Sequence, residues 1–249
     1  MRIEPDLTPA HLEGPARQVV EAAGPKVLSL LDQVRPDGPA PVMTVRGRYT
    51  ARAWTEWTRG FPLGMALLLF DATGDMALYR RARDRIVEQM GPFLTHTGVH
   101  DHGFNIGSTF GNLWRLAWEG RTPVEPWERR YYELALKTSG AVQASRWART
   151  ADGGGYIPSF NGPHSLFVDT IRTLRVLAIA HLLGHSLLGE GDRPISLLGR
   201  LVQHARATAT YNVYYGEGRD AYDVPGRVAH EAIFHPQTGE FRCPGTQQG

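Results

Sequence analysis

The sequence predicts an all-α protein built as an (α/α)6 toroid, or barrel, incomplete in this chain and with a small β-hairpin near its C-terminus. Three observations predict it. A helix–turn–helix unit recurs three times, each time around a turn glycine. The first helix of each unit is apolar on most sides while the second keeps a charged face, which buries the first and leaves the second outside. The turn glycines stand 46 and then 64 residues apart, so connections vary while the hairpin persists, as expected where one set of loops carries function.

Taken in order, a helix is predicted from about Ala16 to Val34, followed by an irregular or partly extended stretch from Pro36 to Arg52. The first unit, GMALLLFDATGDMALYRRARDRIVEQM, turns at Gly74. The second, FGNLWRLAWEGRTPVEPWERRYYELALKTSGAV, turns near Gly120. The third, IRTLRVLAIAHLLGHSLLGEGDRPISLLGRLVQHA, turns near Gly184. In each, the outer helix has apolar residues at i, i+3 and i+4 and arginines elsewhere. The tail from Tyr211 to Gly249 reads as irregular, with VAHEAIFHPQTGEFRCP forming a hairpin around Gln237-Thr238-Gly239. Three hairpins and one helix fall short of six pairs. The expectation is a single catalytic barrel domain over residues 1–249, missing its C-terminal helices.

Composition narrows the partners. A net charge of +2 from scattered arginines, with no basic tract, gives no reason to expect nucleic acid. Cys243 stands alone, so no intrachain disulfide can form. Residues 1–14 hold no apolar run resembling a signal peptide. The most apolar stretch, Phe61 to Phe70, is too short to span a bilayer. These features predict a cytoplasmic enzyme with no membrane partner; the oligomeric state is not predicted. Six Trp and nine Tyr, many near glycines, suit a sugar site, where a flat ring packs on a pyranose, and suit core filling equally well.

In a toroid the N-termini of the inner helices meet at one mouth. Trp57, Asp101 and Asp169 precede their turn glycines by 17, 19 and 15 residues. At about 1.5 Å per helical residue they fall at similar heights. An aromatic platform and two carboxylates at one mouth are the parts a glycoside-cleaving site needs. An Asp ahead of an apolar helix is also a common N-cap. Asp169 lies inside the apolar run Leu166-Phe167-Val168-Asp169-Thr170-Ile171, where desolvation would raise its pKa and suit it as a general acid. His96, His100, Asp101 and His102 have a suggestive metal-ligand spacing, but Gly98 interrupts them and no HExxH helix is present. No metal is expected.

With WTEWTRGFPLG, HTGVHDHGFNIGSTFGN, LFVDTIRTL and AHEAIFHPQTGEFRCPGTQQG in view, the chain resembles the unsaturated glucuronyl hydrolases of glycoside hydrolase family 88. The matching residues are Trp57 with Gly60, Phe61 and Gly64; His100, Asp101, Gly103 and Phe104; Asp169; His230 with Pro236, Thr238, Gly239 and Glu240; and Gln248 with Gly249. The resemblance implies an (α/α)6 barrel acting on oligosaccharides that carry a 4,5-unsaturated uronic acid at the non-reducing end. It implies hydration of the vinyl ether, with a proton to C4 and water to C5, after which the hemiketal rearranges and expels the next sugar. On this resemblance Asp169 is the general acid and then the base. Asp101 holds substrate hydroxyls and supports the site's charge, and Trp57 stacks on the sugar. His100, His230 and Gln248 bind substrate. No metal or organic cofactor is implied.

The chain departs from the family pattern at Gln247-Gln248-Gly249, where relatives commonly read His-Gln-Gly, and over YNVYYGEGRDAYDVPGR, which is longer than the usual link. The family's later Arg, the expected partner of the uronate carboxylate, has no counterpart in this chain, so the fragment is expected to be weak or inactive and the full-length protein an enzyme. Three other readings remain: an unsaturated rhamnogalacturonyl hydrolase acting on pectin fragments, a sugar epimerase or isomerase, and a non-catalytic sugar-binding toroid in which both aspartates are caps.

Overall fold

A computed structural model describes residues 4–35, 38–52 and 56–245, together with the backbone of residues 247–248. It is mostly helical with small sheets. Helix α1 (Pro9–Gln33) leads into a two-stranded sheet, β1 (Pro41–Val45) against β2 (Arg48–Ala51). The first helical hairpin is α2 (Phe61–Thr73) with α3 (Met76–Gln89). A short α4 (His102–Asn105) precedes the second, α5 (Phe110–Trp118) with α6 (Pro126–Ser145). The third is α7 (Leu174–Leu182) with α8 (Leu197–Tyr211).

Each hairpin turns on a left-handed glycine: Gly74, Gly120 and Gly184 have φ of 75°, 69° and 75°, a region open to Gly at no steric cost. Beyond Gly74, the Asp75 carboxylate accepts the Ala77 N–H at 2.9 Å and starts α3. α2 is buried at Leu63, Ala66, Leu67, Leu69 and Phe70, whereas α3 buries one stripe, Leu78, Tyr79, Ala82 and Ile86. The α2 and α3 residues meet Phe110, Leu113 and Leu116 of α5 and Tyr132 and Leu136 of α6 in one apolar cluster. α6 packs on α7 of the next unit as well as on α5, so this outer helix seals the seam between two inner ones.

The structure differs from the sequence expectation in three places. α1 begins at Pro9 rather than near Ala16 and runs through Pro15 and Pro25. It buries only Val27 and Leu31, so the carbonyls that its prolines leave without a donor can reach water. The inner helices α5 and α7 are nine residues each, and the residues ahead of them form separate short turns: α4, and a 3-10 turn over Val168–Thr173. Finally, the single expected β-hairpin belongs to one of five small sheets among the described residues. Five strands lie between α6 and α8, four of them in pairs: β3 (Ala148–Arg149) with β4 (Gly155–Tyr156), and β6 (Leu187–Leu188) with β7 (Pro194–Ile195). β5 (Ser165–Phe167) joins a three-stranded sheet with β9 (Glu231–Phe234) and β10 (Phe241–Pro244), in the order β10-β9-β5. β8 (Val228–Ala229) pairs with β11 (Gln247–Gln248). No described helix is long and apolar enough to cross a membrane.

Two buried histidines make stability depend on pH. His102 Nε2 bonds the His96 carbonyl at 2.9 Å and its Nδ1 bonds Ser139 Oγ at 2.7 Å. His204 Nδ1 accepts the Ile157 N–H at 2.9 Å. Burial pushes His102 down to about 4 and His204 down to about 3. Below the unfolded value of about 6.5 the unfolded chain binds protons that the fold refuses, at up to about 1.4 kcal/mol per pH unit for each histidine. The melting temperature is therefore expected to be flat above pH 7 and to fall steadily from pH 6.5 towards pH 4. A melting temperature unchanged between pH 7 and pH 5 would contradict this.

Candidate active site

Two tethers bring the site together ahead of the inner helices. The first is Asn105, whose Oδ1 accepts the Gly60 N–H at 2.8 Å and whose Nδ2 donates to the Glu56 carbonyl at 3.3 Å. It fixes the Trp57 segment to the Asp101 segment. The second is Thr173, whose hydroxyl accepts the Gly103 N–H at 3.0 Å and donates to the His100 carbonyl. It fixes α4 to the 3-10 turn that carries Asp169. The sheet adds a third constraint: β5 runs into Val168, whose N–H donates to the His230 carbonyl at 2.8 Å. Asp169 thus follows β5 and His230 precedes its antiparallel neighbour β9, at the same end of the sheet.

At the centre, His100 Nε2 lies 3.3 Å from Asp101 Oδ1 and 3.3 Å from Asp169 Oδ1. Neither aspartate caps a helix. Asp101 holds the N-cap position of α4, but its side chain makes no capping bond, and the 3-10 turn starts after Phe167 without a side-chain cap. The burial expected at Asp169 is found at Asp101 instead, because the 3-10 turn lifts Asp169 out of the apolar run: the side chains are 36% and 8% exposed respectively. Burial pushes the Asp101 carboxyl up and the Asp169 charge adds to this, while His100 and Arg146 oppose it. Arg146 is itself pushed down to about 10 by burial, and it donates to the Ser159 carbonyl at 3.2 Å. One half-exposed carboxyl, one buried carboxyl and a shared imidazole can hold a proton and hand it to a ligand.

The walls are aromatic. Trp57, 43% exposed, meets Phe61 and Phe104 edge-on with ring centroids 5.5 and 5.8 Å away. On the other side the His100 ring stacks on the exposed Phe160 at 5.8 Å and meets Phe167 at 5.4 Å. Phe167 also meets the His230 ring at 4.4 Å. The residues Trp57, His100, Asp101, Asp169 and His230 therefore gather in one region. The Gln248 backbone pairs with Val228 two residues from His230, and its side chain lies outside the described residues.

His102 faces away from the cluster, bound to Ser139 and the His96 carbonyl, so it is not a ligand beside Asp101. Among the described residues no three His, Cys, Asp or Glu side chains are grouped as a metal would need. Sequence reasoning missed Glu56, whose charge reaches Asp101, as well as Arg146, Phe160 and Phe167. Only Phe160, in the turn-forming run Ser159-Phe160-Asn161-Gly162, carried a local signal, an exposed ring on a loop.

No family model and no curated protein matches the sequence. Solved structures do. An unsaturated glucuronyl hydrolase specific for heparin aligns with a TM-score of 0.70 at 16% identity, over 93% of this chain and 55% of that one. The unsaturated glucuronyl hydrolase from Streptococcus agalactiae aligns with a TM-score of 0.65 at 22% identity, over 100% of this chain and 60% of that one. A mutant of the latter enzyme, complexed with dGlcA-GalNAc6S, aligns with a TM-score of 0.56 at 20% identity, over 100% of this chain and 58% of that one. This chain thus spans little more than half the length of the structures it matches, and over nearly all of its own length it has the fold of the unsaturated glucuronyl hydrolases.

Proposed function

We propose that this chain carries the reacting half of an unsaturated uronyl hydrolase, three hairpins of an (α/α)6 barrel around a vinyl-ether-hydrating site. The observation that carries this reading is His100 Nε2, placed 3.3 Å from both the Asp101 and the Asp169 carboxylates beside an exposed tryptophan platform. In this reading Trp57 stacks on the unsaturated ring, Asp101 holds its hydroxyls, and His230 binds near the reacting carbons. The half-exposed Asp169 delivers its proton to C4 as the C4=C5 electron pair takes it up. The ring oxygen shares the positive charge left at C5. Asp169, now a carboxylate, takes a proton from water, whose oxygen bonds to C5. The hemiketal opens, forming C5=O as the bond from C5 to the ring oxygen breaks. The hemiacetal left at C1 then releases the next sugar as an alcohol and becomes an aldehyde.

The test, run on the full-length protein, follows the ultraviolet absorbance of the conjugated C4=C5 uronate with unsaturated disaccharides from chondroitin, heparin and pectin. Decay of absorbance with at least one of them is expected, and the preferred disaccharide names the substrate class. A preference for the pectin disaccharide would select the rhamnogalacturonyl reading. No decay with any of the three would reject hydration chemistry. Trp57→Ala should raise KM about 10-fold, the loss of a stacking contact worth about 1–1.5 kcal/mol, with a smaller change in kcat because the indole exchanges no proton with the substrate.

A further inference from the structure

We infer that Arg172 is the specificity-determining residue that receives the ligand's carboxylate, an inference that rests on the site reading above. Arg172 and Asp169 are three residues apart in the 3-10 turn Val168–Thr173. In that geometry residues i and i+3 eclipse, about 6 Å apart along the axis, so Arg172 leaves the turn on the same side as the candidate acid. Its guanidinium carbon lies 6.0 Å from the centre of the Phe104 ring, and Phe104 is 5.8 Å from Trp57. The guanidinium therefore borders the aromatic platform on which a sugar would lie.

The cation is held there and left available. Its backbone rests on Gly103: a Cβ on that glycine would come within 2.4 Å of the Arg172 carbonyl. Its Nη2 reaches Ser108 Oγ at 3.3 Å. Among the described residues it makes no ion pair, although the residue is exposed. The other cations near the site are engaged or withdrawn. Arg146 is partly buried and bonds the Ser159 carbonyl through Nη2, and Arg59 is buried and donates to the Gly38 carbonyl. A site with two carboxylates repels an anionic sugar unless a cation offsets them, and a guanidinium fork matches a carboxylate in two parallel hydrogen bonds.

The experiment measures binding and turnover separately, on wild type, Arg172→Gln and Arg172→Lys, with an unsaturated disaccharide and its uronate methyl ester. Calorimetry reports binding and absorbance reports turnover. Wild type is expected to bind the acid at least about 10-fold more tightly than the ester, the range of a hydrogen-bonded charged pair. Arg172→Gln should bring that ratio close to one by weakening the acid alone, and Arg172→Lys should restore part of it. Discrimination that survives Arg172→Gln, or wild type that binds acid and ester equally, would overturn the assignment. Binding with the expected discrimination but without turnover would leave Arg172 standing and reject the hydrolase reading.

Discussion

Asp169→Asn should reduce the decay of vinyl-ether absorbance by about 10²–10⁴-fold, the usual contribution of a positioned general acid. The loss should fall on kcat with KM nearly unchanged. The amide oxygen of Asn can still accept the His100 Nε2–H, so the imidazole keeps its partner at the 3.3 Å position. The side chain is 36% exposed and caps no helix, so the melting temperature should stay within about 2 °C of wild type, as for a surface substitution. A variant that retains more than a tenth of wild-type kcat would remove Asp169 from the role of acid. The result also separates catalysis from simple sugar binding, since a non-catalytic toroid would handle ligand identically in both forms.

Gly103→Ala should damage stability and activity together. A Cβ at this position would stand 2.4 Å from the carbonyl carbon and oxygen of Arg172 and from the Thr173 nitrogen, all backbone atoms with no side-chain freedom to yield. Relief requires α4 and the 3-10 turn to separate. That breaks the Gly103 N–H bond to Thr173 and the Thr173 hydroxyl bond to the His100 carbonyl. The expected cost is about 3 kcal/mol or more, a fall of roughly 6–12 °C in melting temperature for a chain of this size. Activity should fall further than stability explains, because the same displacement moves His100 away from Asp169. Gly24→Ala is the control: it lies within α1 and a Cβ there meets nothing within 4 Å, so it should leave stability equal or raise it by about 0.5–1 kcal/mol. Equal melting temperatures for the two variants would mean that the contact between α4 and the 3-10 turn is looser than its geometry implies.

The sequence by itself determined the helical hairpins and their order. A turn glycine that adopts positive φ, an inner helix apolar on all sides and an outer helix with one charged face are local properties, and Gly74, α2 and α3 show them together. The register ahead of the turn glycines also brought Trp57, Asp101 and Asp169 forward, and the resemblance to the glucuronyl hydrolases added His100 and His230. Tertiary structure alone decided which carboxyl is buried. The run around Asp169 is as apolar as a core segment, yet a 3-10 turn rather than an α-helix points that side chain outward, while α4 tucks Asp101 beneath it. Burial, and with it the upward push on Asp101, depends on atoms brought in from elements distant in sequence, and so does the charge around it: Asp169 and Glu56 add to the push and Arg146 opposes it. The place of Arg172 was equally hidden. A lone arginine in a helical turn reads as a solvated face until Phe104 and Gly103, some 70 residues earlier, come to lie against it. Periodicity records what each residue does to its own element, whereas a site's electrostatics is set by residues that meet only when those elements pack.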